Sequence, residues 1–248
     1  MTERCALITG GTGGLGQAIA RRLHDAGHTV LVTHHAGIDE GAHAWVAEQA
    51  AAGYRFKVYE VDVADYDSCL EAAARIAADG FQVDILVNNA GITRDATFRK
   101  LRKEKWDSVL RTNLDSMYNM THPFIDGMTA SGWGRIVNIS SVNGTKGQFG
   151  QTNYSAAKAG IQGFTKALAQ EVARKGVTVN AVSPGYVATA MVEAVDPEIL
   201  EKQIVSQIPM GRLGKPDEVA ALVAFLCSED AAYITGANIA INGGMHMY

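Results

Sequence analysis

Cysteine, proline and aromatic residues are scarce in this chain, and neither sign of charge dominates it. The three cysteines, Cys5, Cys69 and Cys227, are odd in number and far apart. They fit neither a disulfide framework nor the spacing of zinc ligands, and no metal site is expected. Small buried hydrophobes in a reducing compartment are the reading that remains. The five prolines are scattered, so no Pro-rich linker divides the chain, and the sequence carries no internal repeat or low-complexity tract. Lys plus Arg number 22 against 26 Asp plus Glu, a net charge of −4. That balance offers no electrostatic footprint for nucleic acid or for an anionic membrane, and neither partner is expected. No stretch supplies the ~20 uninterrupted apolar residues of a membrane span. The apolar run after Glu3 and Arg4 ends at Gly10, too short for the apolar region of a signal peptide. The expected location is the cytoplasm.

Apolar residues (47%) and glycine (26 residues) are what the chain has in quantity. A disordered chain has too little apolar surface to offset the entropy of ordering, so a true core is expected here. At 248 residues, one α/β domain accounts for the whole length. Arg4–Thr9, Thr29–Thr33, Lys57–Val61, Ile85–Asn88, Arg135–Ile139, Val177–Val182 and Ala237–Ile241 read as strands. Several are nearly continuous apolar runs, the pattern of buried parallel strands. Between them, helical spacing marks Gly16–Ala26, Tyr66–Ala78, Lys103–Thr121 and Tyr154–Lys175. This alternation predicts the α/β class, a doubly wound parallel sheet in a single domain over residues 1–248. Such sheets bind ligands at the carboxyl ends of their strands, so the loops after each strand are the places to search.

The first such loop is Thr9-Gly10-Gly11-Thr12-Gly13-Gly14-Leu15-Gly16. It holds G-x-G-x-x-G at Gly11, Gly13 and Gly16, and T-G-x-x-x-G-x-G at Thr9, Gly10, Gly14 and Gly16. With five glycines some match is cheap; the strand before and the amphipathic helix after give the pattern its weight. Glycines let the backbone approach a pyrophosphate, and a helix N-terminus offers N–H groups and a positive dipole end. The ordinary dinucleotide fingerprint adds an acid ~20 residues on, for the ribose diol. Here the second strand runs into His34-His35, and no Asp or Glu appears before Asp39. That argues against NAD without establishing NADP, because no Arg or Lys stands there either. Protonated His34 and His35 would suit a 2′-phosphate.

Tyr154 and Lys158 are four residues apart on an apolar-periodic helix and share a face. A phenol beside an ammonium is expected to ionise more readily than at its usual pKa of about 10, and so to exchange a proton with a carbonyl oxygen. Ser141 lies just past the strand Arg135–Ile139, at the carboxyl edge of the sheet, where a hydroxyl can orient the same oxygen. Ser140 is its rival and would point elsewhere. Asn113 falls inside the helical stretch Lys103–Thr121, an unusual place for a residue that favours caps and turns.

Thr9-Gly10-x-x-x-Gly14-x-Gly16, Asn88-Asn89-Ala90-Gly91, Asn113, Ser141, Tyr154-x-x-x-Lys158 and Pro184-Gly185 stand in this order. Each is weak alone; together, over essentially the whole chain, they resemble the short-chain dehydrogenase/reductase family. The resemblance implies a Rossmann-type sheet of seven parallel strands in the order 3-2-1-4-5-6-7, and hydride transfer between a nicotinamide and a carbonyl carbon. It implies that Tyr154 is the general acid, that Lys158 lowers its pKa and holds the nicotinamide ribose, that Ser141 orients the carbonyl, and that Asn113 positions a relay water. By the same resemblance Gly10, Gly14, Leu15, Gly16, His34, His35, Asp62, Val63, Asn89, Ala90 and Gly91 contact the cofactor with Tyr154 and Lys158. Pro184, Gly185, Val187 and Thr189 would hold its nicotinamide end. The cofactor implied is NADPH, with NADH or dual use as the alternative, and the assembly implied is a homotetramer.

The run Val142–Tyr154, Gly91–Asp95 and the end Asn242–Met247 are similar to the acetoacetyl-CoA reductases of polyhydroxyalkanoate synthesis. That likeness implies a short 3-oxoacyl-CoA substrate, with Gln148, Phe149, Gln151 and Tyr186 lining its acyl pocket alongside Ser141, and Asp95 and Lys100 at the mouth. Residues 186–212 would form a lid. The nearest alternative is 3-oxoacyl-acyl-carrier-protein reductase. Those enzymes usually carry a basic docking residue where this chain has Gly132, while the second docking position is basic here, at Lys175. A non-catalytic dinucleotide-binding regulator would be expected to lose part of the set Asn113, Ser141, Tyr154 and Lys158. A sugar or steroid dehydrogenase would be expected to keep an acid after the second strand.

Overall fold

Seven short runs dominated by apolar and β-branched residues make one sheet in the computed structural model, which describes residues 3–35, 39–189, 192, 198 and 200–247. They are β1 (Cys5–Ile8), β2 (Thr29–His34), β3 (Phe56–Glu60), β4 (Ile85–Asn88), β5 (Gly134–Ile139), β6 (Val177–Pro184) and β7 (Asn238–Ile241). The order is β3-β2-β1-β4-β5-β6-β7, and every pairing is parallel. Side chains alternate across the sheet, and both faces are covered. Ala6 and Ile8 of β1 pack with Val30, Val32 and Val87 under α1 (Gly14–Asp25) and, later in the chain, a helix at Pro216–Cys227. Cys5 and Leu7 pack with Leu31, Leu86 and Ile136 on the opposite face. That face is covered by α3 (Tyr66–Ala78), α5 (Ser116–Ser131) and α7 (Thr152–Val172). The three cysteines are buried in these layers, and burial pushes each thiol up to about 12. No helix among the described residues is long and apolar enough to cross a membrane.

The expected order of strands and their number hold, with ends shifted by one or two residues; β6, for example, runs on to Pro184. Helix α2 (Asp39–Ala51) escapes the periodicity reading because its inward positions are Ala42, Trp45 and Gln49, a mixed rather than apolar stripe. The single helix expected over Lys103–Thr121 is two. Helix α4 (Lys103–Leu110) passes through a π-helical turn, Arg111–Asp115, into α5, which continues through Pro123 to Ser131. The extra residue of such a turn rotates side chains off the helix's regular stripe, and Asn113 sits inside it. Among the described residues two further helices follow, α6 (Val142–Lys146) and α8 (Pro216–Cys227).

The glycine loop shows which of its glycines the fold requires, Gly11 among them, because a Cβ there would lie 2.6 Å from Val32 Cβ. Gly10 and Gly14 have φ of 63° and 47°, a region that side chains disfavour. At Gly16 a Cβ would lie 2.3 Å from the Gly10 carbonyl oxygen and 2.7 Å from Asn89 Nδ2, so α1 seats on the loop only without one. Gly13 has an extended backbone, and a Cβ there would meet nothing within 4 Å. Gly16→Ala should therefore cost about 1–3 kcal/mol, the scale of overpacking, and lower Tm by on the order of 5 °C. Gly13→Ala should leave the Tm of the unliganded chain within about a degree or two, on the scale of an ordinary surface change. Thermal unfolding of both variants checks the contrast, and equal losses would contradict it.

Candidate active site

Strand β5 ends at Ile139, and the two serines that follow diverge. The Ser140 hydroxyl donates to the Lys158 carbonyl at 2.8 Å and accepts from Gln162 Nε2 at 3.3 Å, which commits it to α7. Ser141 caps α6, its Oγ accepting the Asn143 N–H at 3.1 Å, and it lies in the wall of a cavity of about 430 Å³. Helix α7 brings Tyr154 and Lys158 to the same cavity one turn apart. Gly144 lets α6 lie against that turn, because a Cβ there would sit 2.7 Å from the Lys158 carbonyl carbon. Asn113 reaches the site from behind. Its Oδ1 accepts the Ile92 N–H at 2.8 Å and its Nδ2 donates to the Ile92 carbonyl at 2.9 Å. A Cβ on Gly91 would be 3.3 Å from Asn113 Oδ1 and 3.7 Å from Lys158 Nζ, so the three meet at one point.

Burial governs the electrostatics. Lys158 is buried with its Nζ donating to the Ile139 carbonyl at 2.7 Å, and desolvation lowers its pKa to about 8. Tyr154 departs from the sequence expectation. Desolvation raises its pKa, a hydrogen bond with Ser141 opposes that, and the Asp95 charge adds to the rise. The Lys158 ammonium, 5.6 Å from the Tyr154 ring centroid, is turned to a main-chain carbonyl rather than to the phenol oxygen. Burial thus keeps Tyr154 as a proton holder and makes Lys158 the group that titrates closer to neutrality.

A trough of about 810 Å³ continues from this cavity along the carboxyl ends of β1, β2 and β3. The two share Leu15, Asn89, Gly91, Ile92 and Thr189. Gly10, Gly14, His34, His35, Asp62, Val63 and Ala90 line the trough, while Pro184, Gly185, Tyr186 and Val187 line the cavity. At the reversal of strand order, Thr9 Oγ1 accepts the N–H groups of Asn89 and Ala90, both at 2.9 Å. Those bonds tie the loop after β4 to the loop after β1. His34 is buried, with Nδ1 3.1 Å from the His35 carbonyl. His35 is exposed, with Nε2 3.8 Å from Asp62 Oδ2. Asp65, not Asp62, caps α3, which leaves Asp62 facing the trough. The glycine cradle, the helix start behind it and a trough of about 810 Å³ fit a dinucleotide.

The expected substrate residues divide. Asp95, Gln151 and Tyr186 line the cavity, and Gln151 Nε2 donates to Asp95 Oδ2 at 2.8 Å. Gln148 stands outside the wall and accepts from Lys146 Nζ at 2.9 Å. Phe149 is 87% exposed, and Lys100 is exposed on the short turn Phe98–Lys100; neither lines the cavity. Asn143, which the sequence reading passed over, is buried in the wall and donates to Gln151 Oε1 at 3.0 Å. Its position two residues after Ser141 was the available signal. Of the lid, residues 190–191, 193–197 and 199, Pro197 included, lie outside the described residues; Thr189, Val192 and Ile204 line the cavity.

The family described as enoyl-(acyl carrier protein) reductase matches residues 10–246. The chain is similar to acetoacetyl-CoA reductase of Cupriavidus necator, 54% identical over 250 residues and 100% of both chains. It is similar to acetoacetyl-CoA reductase of Rhizobium meliloti at 55% over 244 residues, 98% of this chain and 99% of that one. It is also similar to 3-oxoacyl-acyl-carrier-protein reductase of Pseudomonas aeruginosa, at 44% over 244 residues and 98% of each.

The lowered Lys158 pKa has a measurable consequence. Between about 8 and 10.5 the unfolded chain binds a proton at this residue that the folded chain has lost, so stability rises with pH across that window. Below pH 8 the full cost of the buried charge is present, on the order of 3 kcal/mol. Urea unfolding of wild type and Lys158→Met should show the variant's advantage at neutral pH shrinking by about that amount by pH 10.5. A pH-independent difference would contradict the assignment.

Proposed function

The chain belongs to the short-chain dehydrogenase/reductase family, and from that membership we propose that it is an oxidoreductase that reduces acetoacetyl-CoA, a short 3-oxoacyl-CoA, to the (R)-3-hydroxyacyl-CoA with a nicotinamide cofactor. The observation that carries the chemistry is the convergence of Ser141, Tyr154 and Lys158 on one cavity, with Asn113 behind it beside Lys158 Nζ, and the opening of that cavity into a trough of about 810 Å³. The likeness to acetoacetyl-CoA reductases over the full chain carries the substrate class.

A bound nicotinamide supplies the hydride to the 3-oxo carbon. Ser141 Oγ donates a hydrogen bond to the 3-oxo oxygen and orients the carbonyl. Tyr154, held protonated by its burial, gives its phenolic proton to that oxygen as charge develops on it. The Lys158 ammonium, one turn away, stabilises the phenolate that is left, and Asn113, fixed by Ile92, orients the water that returns the proton through Lys158 Nζ. Gly10, Gly14, Leu15 and Gly16 hold the pyrophosphate. Asp62, Val63, Asn89, Ala90 and Gly91 hold the adenosine side and the trough floor. Pro184, Gly185, Val187 and Thr189 hold the nicotinamide end. NADPH is the reductant of this proposal, supported by the lack of a carboxylate at His34 and His35; NADH or dual use is the alternative. Asp95, Gln151 and Tyr186 bind the thioester end, Gln148, Phe149 and Lys100 close on it from outside, and residues 186–212 act as the lid. The cytoplasm is the proposed setting, and the product fits polyhydroxyalkanoate synthesis.

Reduction of a carrier-bound thioester is the second reading, favoured by one observation, the exposed basic Lys175. Against it, Gly132 ends α5 with φ of 71°, a left-handed cap that disfavours a basic side chain there. Tyr154→Phe should lower kcat ~100-fold or more with cofactor binding retained; turnover within a few-fold of wild type would refute the assignment. In the same assay, kcat/KM for acetoacetyl-CoA should exceed that for the carrier-protein thioester, and a tenfold advantage of the carrier form, about 1.4 kcal/mol, would transfer the enzyme to fatty-acid elongation.

A homotetramer is also proposed. Strand β7 is a half-exposed sheet edge, Phe225 of α8 is 42% exposed, and Tyr118 of α5 is 53% exposed. Uncovered edges and apolar patches of this kind are ordinarily closed by symmetric association. Light scattering should give about four times 26.4 kDa; a mass near that of one chain would refute it.

A further inference from the structure

Five of the chain's 22 Lys and Arg residues fall within the seven positions 99–105, which contain one carboxylate, Glu104. In a chain with net charge −4 this is a concentrated positive patch. Lys103 pairs with Asp107 in α4; Arg99, Lys100, Arg102 and Lys105 have no carboxylate partner among the described residues. Arg102 is also the N-cap residue of α4 and makes no side-chain cap, so its guanidinium is not spent on the helix it precedes. Phe98, immediately before the patch, is 74% exposed. An aromatic ring left in water beside unpaired guanidiniums is the combination that binds a nucleotide, the ring stacking on the base and the cations taking phosphate.

The patch is joined to the cavity. The Ala96 N–H donates to the Gly150 carbonyl at 2.9 Å, and Gln151 donates to Asp95 one residue away, so the segment carrying Phe98 is zipped to the loop that walls the cavity. Asp95 and Gln151, which line the cavity, are thus the residues between the reacting groups and this surface. The distal part of coenzyme A is an adenosine bearing a 3′-phosphate and a 5′-pyrophosphate. A carrier-protein thioester has the same pantetheine arm, with no adenine and no 3′-phosphate.

Resting on the proposed reduction of a 3-oxoacyl-CoA, we propose that Phe98, Arg99 and Arg102 form the subsite for the 3′-phospho-ADP end of coenzyme A. Phe98 stacks on the adenine, and the two guanidiniums pair with the phosphates. This subsite lies outside the cavity and binds ground and transition states alike, so its removal raises KM and leaves kcat unchanged.

The test pairs substrate truncation with residue removal. Initial rates are measured with acetoacetyl-CoA, with acetoacetyl-pantetheine, which lacks the nucleotide, and with the acetoacetyl carrier-protein thioester. Wild type is compared with Arg99→Gln/Arg102→Gln and with Phe98→Ala. Wild type should prefer acetoacetyl-CoA to the pantetheine thioester at least tenfold, and added salt should erode that preference. The double variant should raise KM for acetoacetyl-CoA about tenfold, with kcat and the kinetics of the pantetheine thioester unchanged; that unchanged arm also certifies the fold. Adenosine 3′,5′-bisphosphate should compete with acetoacetyl-CoA in wild type and not in the double variant. Equal losses on both small thioesters, no wild-type preference for the nucleotide, or a loss confined to the carrier-protein thioester would each overturn the subsite. Failure of wild type to reduce acetoacetyl-CoA at all would instead overturn the proposed function beneath it.

Discussion

An ammonium group held out of water is the most expensive feature of this protein, and much of the site is arranged around it. Lys158 is buried on the inner face of α7, with its Nζ on the Ile139 carbonyl. Removing a charge from solvent disfavours that charge, and the residue answers with a lowered pKa rather than with a counter-ion. Its surroundings hold it there. Ser140 binds its carbonyl, Gly144 leaves room for its backbone, and Gly91 leaves room for its side chain beside Asn113. A lysine so placed can pass a proton near neutral pH, which an exposed lysine does poorly.

The sheet supplies the platform. Its strand order reverses between β1 and β4, and a trough opens there because the helices after the two strands leave to opposite faces. The Thr9 hydroxyl closes that gap from below by binding two amides of the loop after β4. A buried polar ladder stiffens the floor on the catalytic side: Asn88 donates to Thr121 and to Asn138, and Asn138 donates to Thr165. It joins α5, β4, β5 and α7, the elements that carry or flank Asn113, Ser141 and Tyr154. Directional bonds between buried polar groups, here using every side-chain amide group of the two asparagines except Asn88 Oδ1, hold one register and one helix orientation better than apolar contacts of equal area, which tolerate sliding. Tyr154 and Lys158 therefore stand on a regular helix and Ser141 on the cap between β5 and α6, while Gln148 and Phe149 sit on the connection between α6 and α7.

Much was legible in the chain itself. Apolar strands alternating with amphipathic helices determined a doubly wound parallel sheet, because the period of burial is local and both faces must be covered. The spacing of Tyr154 and Lys158 determined a shared helix face, and Ser141 past β5 determined a hydroxyl at the sheet's carboxyl edge. Other features are settled only when distant segments meet. The π-helical turn at Asn113 exists because Ile92, on another loop, offers both a donor and an acceptor. The rise in the Tyr154 pKa comes from burial, which the four-residue spacing to Lys158 does not reveal. Which glycines the loop needs is decided by positive φ at Gly10 and Gly14, by Val32 standing 2.6 Å from where a Cβ at Gly11 would go, and by the Gly10 carbonyl and Asn89 at Gly16, whereas Gly13 faces open space. The wall that Asp95, Gln151 and Asn143 make together joins residues 56 positions apart. Periodicity and spacing are properties of neighbours along the chain; desolvation and close approach are properties of neighbours in space, and the tertiary structure alone decides those.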